Sequence, residues 1–552
     1  MSNRIKHTKR PRPAALAPAR RARIEQALAQ GDIARAAAAA EAALAAGQED
    51  PMVLNLAAWR REEAEDFAGA HRLLQRALAL APGDVAVLGA IGAVLRKEHR
   101  LDEALAVLDR VVAAEPRHSA AWLERGYTLE ALRSEAAALD SYARALTLDP
   151  NLAPALGKIG DIAAKRGDRE TATAYAARAV AIDPLNPAAI FALATMEIEA
   201  REPAPAIARL EALLGRALKA DDRTRALTLL GDALDRQDRC PEAFNAWREA
   251  QANFRKAFQS ELAPAPDRTS HRQFIETIAA RVEAVAPKNS LPAAAPVFGE
   301  AAIHVFLLGY PRSGTTLVEN VLASAPGVVA LEERDTLFDV DEALVPDSGS
   351  MPDLDALDPA LLADLRARYW ARVRGFAGTT VEGRIFVDMN PLNGTKLPVI
   401  ARLFPGARIL IMRRDPRDVL LSCFRINFTP SPASWAFSDL EEAARHYGAL
   451  MSLIELCRER LPLAYHEVRY DQLVADFDAT VKAMAEFVGL PWTDAFRTFD
   501  RTAQARGVRT ASATQVRRGL YDGRGGWRRY EAELSPVLPI LAPWVERFGF
   551  KP

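Results

Sequence analysis

Ala302-Ile303-His304-Val305-Phe306-Leu307-Leu308 runs directly into Gly309-Tyr310-Pro311-Arg312-Ser313-Gly314-Thr315-Thr316. The apolar run reads as a buried strand, the glycine-bounded segment as a loop, and a helical pattern begins near Thr315. A loop of this kind between strand and helix is an anion site. Backbone N–H groups converge at the helix start, and the helix dipole adds partial positive charge. Gly314 allows close backbone approach, Ser313, Thr315 and Thr316 supply hydroxyls, and Arg312 supplies a full charge. Loops that cleave nucleoside triphosphates carry a lysine just before the last Ser/Thr. Thr315 stands there instead, which argues against a kinase-like phosphotransferase.

Downstream, strand candidates at 302–309, 384–389, 407–413 and 463–468 alternate with helical stretches. That alternation predicts a parallel sheet with helices on both faces, and such sheets gather ligands at the carboxyl ends of their strands. The segment "RILIMRRDPRDVLLSCF" is another strand running into a helix, with Arg414 at the strand end and Ser422 eight residues later. Upstream, a capped helix starting at Thr269 or Ser270 and a proline-rich connector make a linker over 258–300.

The front half is periodic. Pro82, Pro116, Pro150 and Pro184 recur every 34 residues, as do Gly92, Gly126 and Gly160, and Ala70, Ala104, Ala138, Ala172 and Ala206. This is the signature of tetratricopeptide helical hairpins, in which small residues let two helices approach and the proline stops the second. Six or seven hairpins are expected over 21–257, with Trp122, Tyr142 and Trp247 as core. The repeats present a groove for substrate or partner protein, or else only support the second domain.

The chain has 552 residues and a formal net charge of −1, against a general nucleic-acid binder. Residues 1–20 read as a disordered basic tail without the apolar core of a secretion signal. Cys240, Cys423 and Cys457 show no metal or disulfide spacing, so a reducing, cytoplasmic setting without metal is expected. No stretch has the ~20 apolar residues of a membrane span.

The "PRSGTT" loop together with the Arg414–Ser422 element resembles the sulfotransferases that use 3′-phosphoadenosine 5′-phosphosulfate (PAPS). The resemblance extends from Ile303 to the C-terminus, through "FVDMNPLN", "VRYDQLVAD", "VRTASATQVRRGLY" and "GWRRYE". It is nearest to the bacterial branch that joins tetratricopeptide repeats to a sulfotransferase domain, which is similar in turn to tyrosylprotein sulfotransferases. It implies an all-α repeat solenoid followed by an α/β P-loop-like sulfotransferase domain over 301–552. It also implies PAPS as sulfuryl donor to a hydroxyl on a protein tyrosine, carbohydrate or small molecule. The loop residues Arg312 to Thr316 would take the 5′-phosphosulfate, and Arg414 and Ser422 the 3′-phosphate. Tyr470 and Ser512 would help seat the nucleotide.

The same resemblance nominates Glu333 in "ALEERDT" (330–336) as general base, with Glu332 accessory. His446 is the competing base, by analogy with small-molecule sulfotransferases. Two departures stand out. Met389 replaces the lysine usual in the "DxNP" turn, and Gly526 replaces a basic residue before Trp527. Arg524, Arg528 and Lys396 are the candidate substitutes. A catalytically degenerate nucleotide-binding scaffold, with the repeats mediating protein interaction, is the alternative.

Overall fold

The computed structural model describes residues 15–284, 299–345, 351–506, 513–517 and 519–551. They form two compact units. One ends at Leu193, apart from Lys165–Gly167. The other comprises those three residues and the chain from Ala194 onward. The expected boundary at 257 therefore falls inside the second unit.

The first unit is built from helical hairpins. Its helices run in pairs from Pro18–Ala29 and Ile33–Ala45 to Ala153–Arg166 and Arg169–Ile182, and the unit closes inside Pro187–Glu199. The 34-residue glycines have a common cause. A Cβ on Gly92 would lie 2.6 Å from Leu108, one on Gly126 2.3 Å from Tyr142, and one on Gly160 3.1 Å from the backbone of Ala176. Each glycine thus meets the residue sixteen positions on, in the second helix of its own hairpin; a Cβ would clash at Gly92 and Gly126 and be tight against backbone at Gly160. Tyr142 fills the space that Gly126 leaves and is fully buried.

The second unit opens with the last repeat helices, ending in the hairpin Ala220–Arg236 and Cys240–Leu262. Gly231 there faces Trp247 by the same rule, at 2.2 Å from a notional Cβ. After the helix His271–Ala284 come five parallel strands: β1 (Ile303–Leu308), β2 (Val328–Glu332), β3 (Ile385–Met389), β4 (Arg408–Arg413) and β5 (Ala464–Arg469). Their order is β2-β3-β1-β4-β5.

Four strands coincide with the sequence reading. β2 is not among the expected strands. The short run Gly327-Val328-Val329 is the signal for it.

Side chains alternate across the sheet. Val305 and Leu307 join Leu317, Val318, Val481 and Met484 on one face. His304 and Phe306 turn to the other, where His304 packs on Tyr369, Trp370 and Phe404 with ring centroids 5.4, 5.0 and 4.9 Å away. Both faces are covered, which is the condition for an all-parallel sheet.

Candidate active site

The phosphate-type loop lies at the carboxyl end of β1 and leads into the helix Thr315–Ala323, as the sequence reading expects. Gly314 is the N-cap, in a left-handed conformation (φ 111°). A Cβ there would come 2.8 Å from Met412 and 3.1 Å from Tyr470, so glycine is required twice over. Arg312 also has positive φ (70°) without being glycine. Such a residue costs about 1–2 kcal/mol, which the surroundings must offset.

Those surroundings come from the second cationic element. Ser422 and Cys423 lie on the helix Pro416–Phe424. Arg312 donates from Nε to Ser422 Oγ (3.0 Å), and the Cys423 thiol donates to the Pro311 carbonyl (3.3 Å). Arg414 Nη1 donates to the Arg312 carbonyl at 3.1 Å. The two motifs, about a hundred residues apart in sequence, are thus directly bonded. Arg413 ends β4 and Arg414 follows it. Arg413 is buried against Glu455 and Glu467, whereas Arg414 turns to the open side.

Arg312, Gly314, Arg414 and Tyr470 line one small cleft together with Leu317 and Val516. Gln515, Gly519 and Tyr521 complete its wall. Gln515 accepts from Arg312 (3.1 Å), and the Arg414 guanidinium lies 4.7 Å from the Tyr470 ring centroid. The Tyr470 hydroxyl donates to the Tyr521 carbonyl and accepts from Gly523 N (3.3 Å), while Arg414 Nη2 donates to the Gly523 carbonyl (2.6 Å). The glycine-rich turn "YDGRGG" is the sequence signal for this last wall, which motif reading passed over. Burial pushes the Arg312 guanidinium down to about 10, and the positive fields of Arg414 and Arg425 act the same way. It stays protonated at neutral pH.

Two buried polar atoms here have no partner among the described residues: Ser313 Oγ and Arg414 Nε. Buried hydroxyl and guanidinium groups are normally satisfied. An anion supplying acceptor oxygens fits these donors. Thr315 and Thr316 are buried at the helix start. Ser512 lies outside the described residues.

Glu333 follows β2 at the same end of the sheet, with its N–H donating to the Met389 carbonyl (2.8 Å) and positive φ (45°). Its side chain is exposed, and its field is felt at Arg312. His446 is elsewhere in role. It is fully buried between Tyr310 (2.9 Å to Nδ1) and His271 (2.7 Å to Nε2), and burial holds it well below the usual imidazole range. It supports the loop from behind.

Met389 is fully buried in the apolar core beneath the loop. Of the candidate substitutes, Lys396 is engaged with Asp341 and Arg524 with Asp522. Arg528 lies 5.0 Å from the Trp527 ring centroid. Among the described residues no group of three or more His, Cys, Asp or Glu is placed to hold a metal, and no helix is long and apolar enough to cross a membrane.

Residues 304–494 match the model of the sulfotransferase family. The C-terminal domain is a sulfotransferase-family domain. Residues 62–125 and 119–152 match tetratricopeptide repeat models. An uncharacterized protein of Aquifex aeolicus (strain VF5) is 31% identical over 248 residues, which cover 43% of this chain and 32% of that protein. The chain thus spans about a third of that relative's length. Protein-tyrosine sulfotransferase 1 of Danio rerio is 23% identical over 273 residues, covering 45% of this chain and 72% of that protein. Protein-tyrosine sulfotransferase A of Caenorhabditis elegans is 21% identical over 279 residues, covering 45% and 67%. The sulfotransferase domain and the repeats therefore coexist in one chain.

Proposed function

We propose that the sulfotransferase domain binds PAPS and directs its sulfuryl group to an acceptor hydroxyl. The observation that carries this reading is the convergence of Arg312 and Arg414 on one cleft, with unpartnered donors at Ser313 Oγ and Arg414 Nε. Arg312, Ser313 and the helix start from Thr315 would hold the 5′ end of the donor. Arg414 and Ser422 would hold its 3′-phosphate, with Tyr470 against the nucleotide. When bound, PAPS supplies a sulfuryl group on a phosphate leaving group.

The residues of this chain do the rest. Arg312 would supply positive charge to the departing phosphate oxygen, the type of pre-set electrostatic contact that contributes most to such transfers. The exposed Glu333 carboxylate, held over the sheet end by its backbone bond to Met389, accepts the proton of the incoming hydroxyl. The acceptor is a protein tyrosine, a carbohydrate or a small molecule, and the repeats bind that substrate or a partner. A reducing, cytoplasmic setting fits the unpaired cysteines.

The buried Met389 favours one alternative, a domain that binds nucleotide but transfers nothing, since no lysine faces the leaving group from that turn. Calorimetry and labelling separate the two. Adenosine 3′,5′-bisphosphate should bind, Arg312→Ala and Arg414→Ala should each weaken it by about tenfold or more, and ATP should compete poorly. Labelled PAPS with cell extract should yield a labelled acceptor, lost in Glu333→Gln with nucleotide affinity unchanged. Nucleotide binding without any labelling would establish the silent form. ATP bound as tightly as the bisphosphate would overturn both.

A further inference from the structure

The helix that carries Ser422 is held at its end by the last repeat hairpin. Arg425, the C-cap residue, sends Nη2 to Asp232 (2.9 Å) and Asp235 (3.2 Å) on the helix Ala220–Arg236. Its guanidinium lies 4.3 Å from the Trp247 ring centroid. Gln251 donates to the Phe424 carbonyl at 2.7 Å, and Phe424 stacks on Phe244 with centroids 5.5 Å apart. The hairpin therefore fixes the helix end through charge, backbone and ring at once.

Asp235 reaches a second element too. It accepts from the Tyr530 hydroxyl (2.6 Å) and from Arg529 Nη1 (2.6 Å). That turn is continuous with Gly525 and Trp527, whose N–H groups donate to Asp418 of the Ser422 helix (2.8 and 2.9 Å). It is continuous as well with Gly523, which holds Arg414 and Tyr470. One carboxylate thus ties together the helix behind Arg312 and the turn behind Arg414.

We propose that Asp235, with Arg425 and Tyr530 as its two arms, is a positioning residue that sets the separation of the two cationic walls of the nucleotide cleft. The last repeat hairpin is in this sense part of the nucleotide site, though it touches no ligand. This rests on the nucleotide reading given above. A bridging carboxylate held by several charged donors in partly buried surroundings has one arrangement, and removing a member of such a network shifts the others.

The test is the affinity of the full chain for adenosine 3′,5′-bisphosphate by calorimetry. Asp235→Asn should weaken it about tenfold, and Arg425→Lys, which gives up the planar guanidinium against Trp247, by several-fold. Tyr530→Phe removes only a hydroxyl and should weaken it about threefold while melting close to wild type. Asp238→Asn, at an exposed pair with Arg529, should stay within twofold. Hydrogen exchange adds a readout that needs no ligand. Amides at Ser422–Ile426 and Gly523–Trp527 should exchange faster together in Arg425→Lys and in Tyr530→Phe.

If Asp235→Asn does not fold, Tyr530→Phe decides. Folded variants that bind as wild type does, with exchange unchanged at both segments, overturn the proposal. Wild type that fails to bind the bisphosphate overturns the nucleotide reading instead, and coupled exchange then still tests the bridge.

Discussion

Replacing Asp388 by asparagine should make the second unit more stable at neutral pH than the wild type, relative to acid. Asp388 is fully buried under the sheet end, where Thr336 Oγ1 (2.6 Å) and the Tyr369 hydroxyl (2.7 Å) both donate to its Oδ2. Its Oδ1 has no partner among the described residues. Burial raises the carboxyl to about 6 from its ordinary 3.8, against the smaller opposing pull of the two hydroxyls. A group whose pKa is raised on folding lends stability below its unfolded value and loses it as pH climbs through the folded one.

The full loss is about 3 kcal/mol, from roughly two units at 1.36 kcal/mol each, and about 2 kcal/mol of it develops between pH 4.5 and 7.5. Asparagine keeps an oxygen for both hydroxyls and does not ionise. Urea unfolding followed by tryptophan fluorescence at the two pH values gives the difference between variant and wild type. Any constant cost of the new amide cancels in the comparison. The difference should grow by about 2 kcal/mol toward pH 7.5. One that stays level within about 0.5 kcal/mol would show that Asp388 is not held neutral by burial.

His304 gives the opposite slope. The one proton of Tyr369 goes to Asp388, so His304 Nε2 must donate to the Tyr369 oxygen (2.7 Å), leaving a buried Nδ1 with no partner among the described residues. Burial lowers the imidazole to about 3, so the folded chain loses stability as pH falls below 6.5. His304→Gln should abolish about 2 kcal/mol of the wild-type loss between pH 7 and 5, read by the same unfolding. Gly314→Ala places a methyl 2.8 Å from Met412 at φ 111°. It should lower the melting temperature by several degrees and weaken adenosine bisphosphate at least tenfold by calorimetry. Gly231→Ala drives a methyl into Trp247 and should cost about 1–3 kcal/mol, measured by thermal unfolding.

The repeats were readable because a 34-residue period records a contact. Gly126 and Tyr142 have to change together, so the period survives in the letters. The loop and the Arg414–Ser422 helix were readable for a similar reason, since few other residue types make that cradle. What the letters hid was long-range. Nothing about Gly523, Gln515 or Cys423 marks it as a neighbour of Arg312 or Arg414, since each is brought there by the crossing of separate segments. The second unit's reach back to Ala194 was hidden because the repeat pattern continues through it, while Asp235 bonds to Tyr530 and Trp247 packs on it, far ahead in the chain.

Glu333 occupies a left-handed backbone position that glycine would hold at lower energy. Its carboxylate is exposed, and the bond that fixes it to β3 comes from its main chain. Exchange for glycine should therefore relieve about 1 kcal/mol of backbone strain and, on the function proposed above, silence transfer. On the reading proposed above, rigidity and usefulness pull in opposite directions at this one residue, and a screen for heat tolerance alone would discard the side chain proposed to take the acceptor proton.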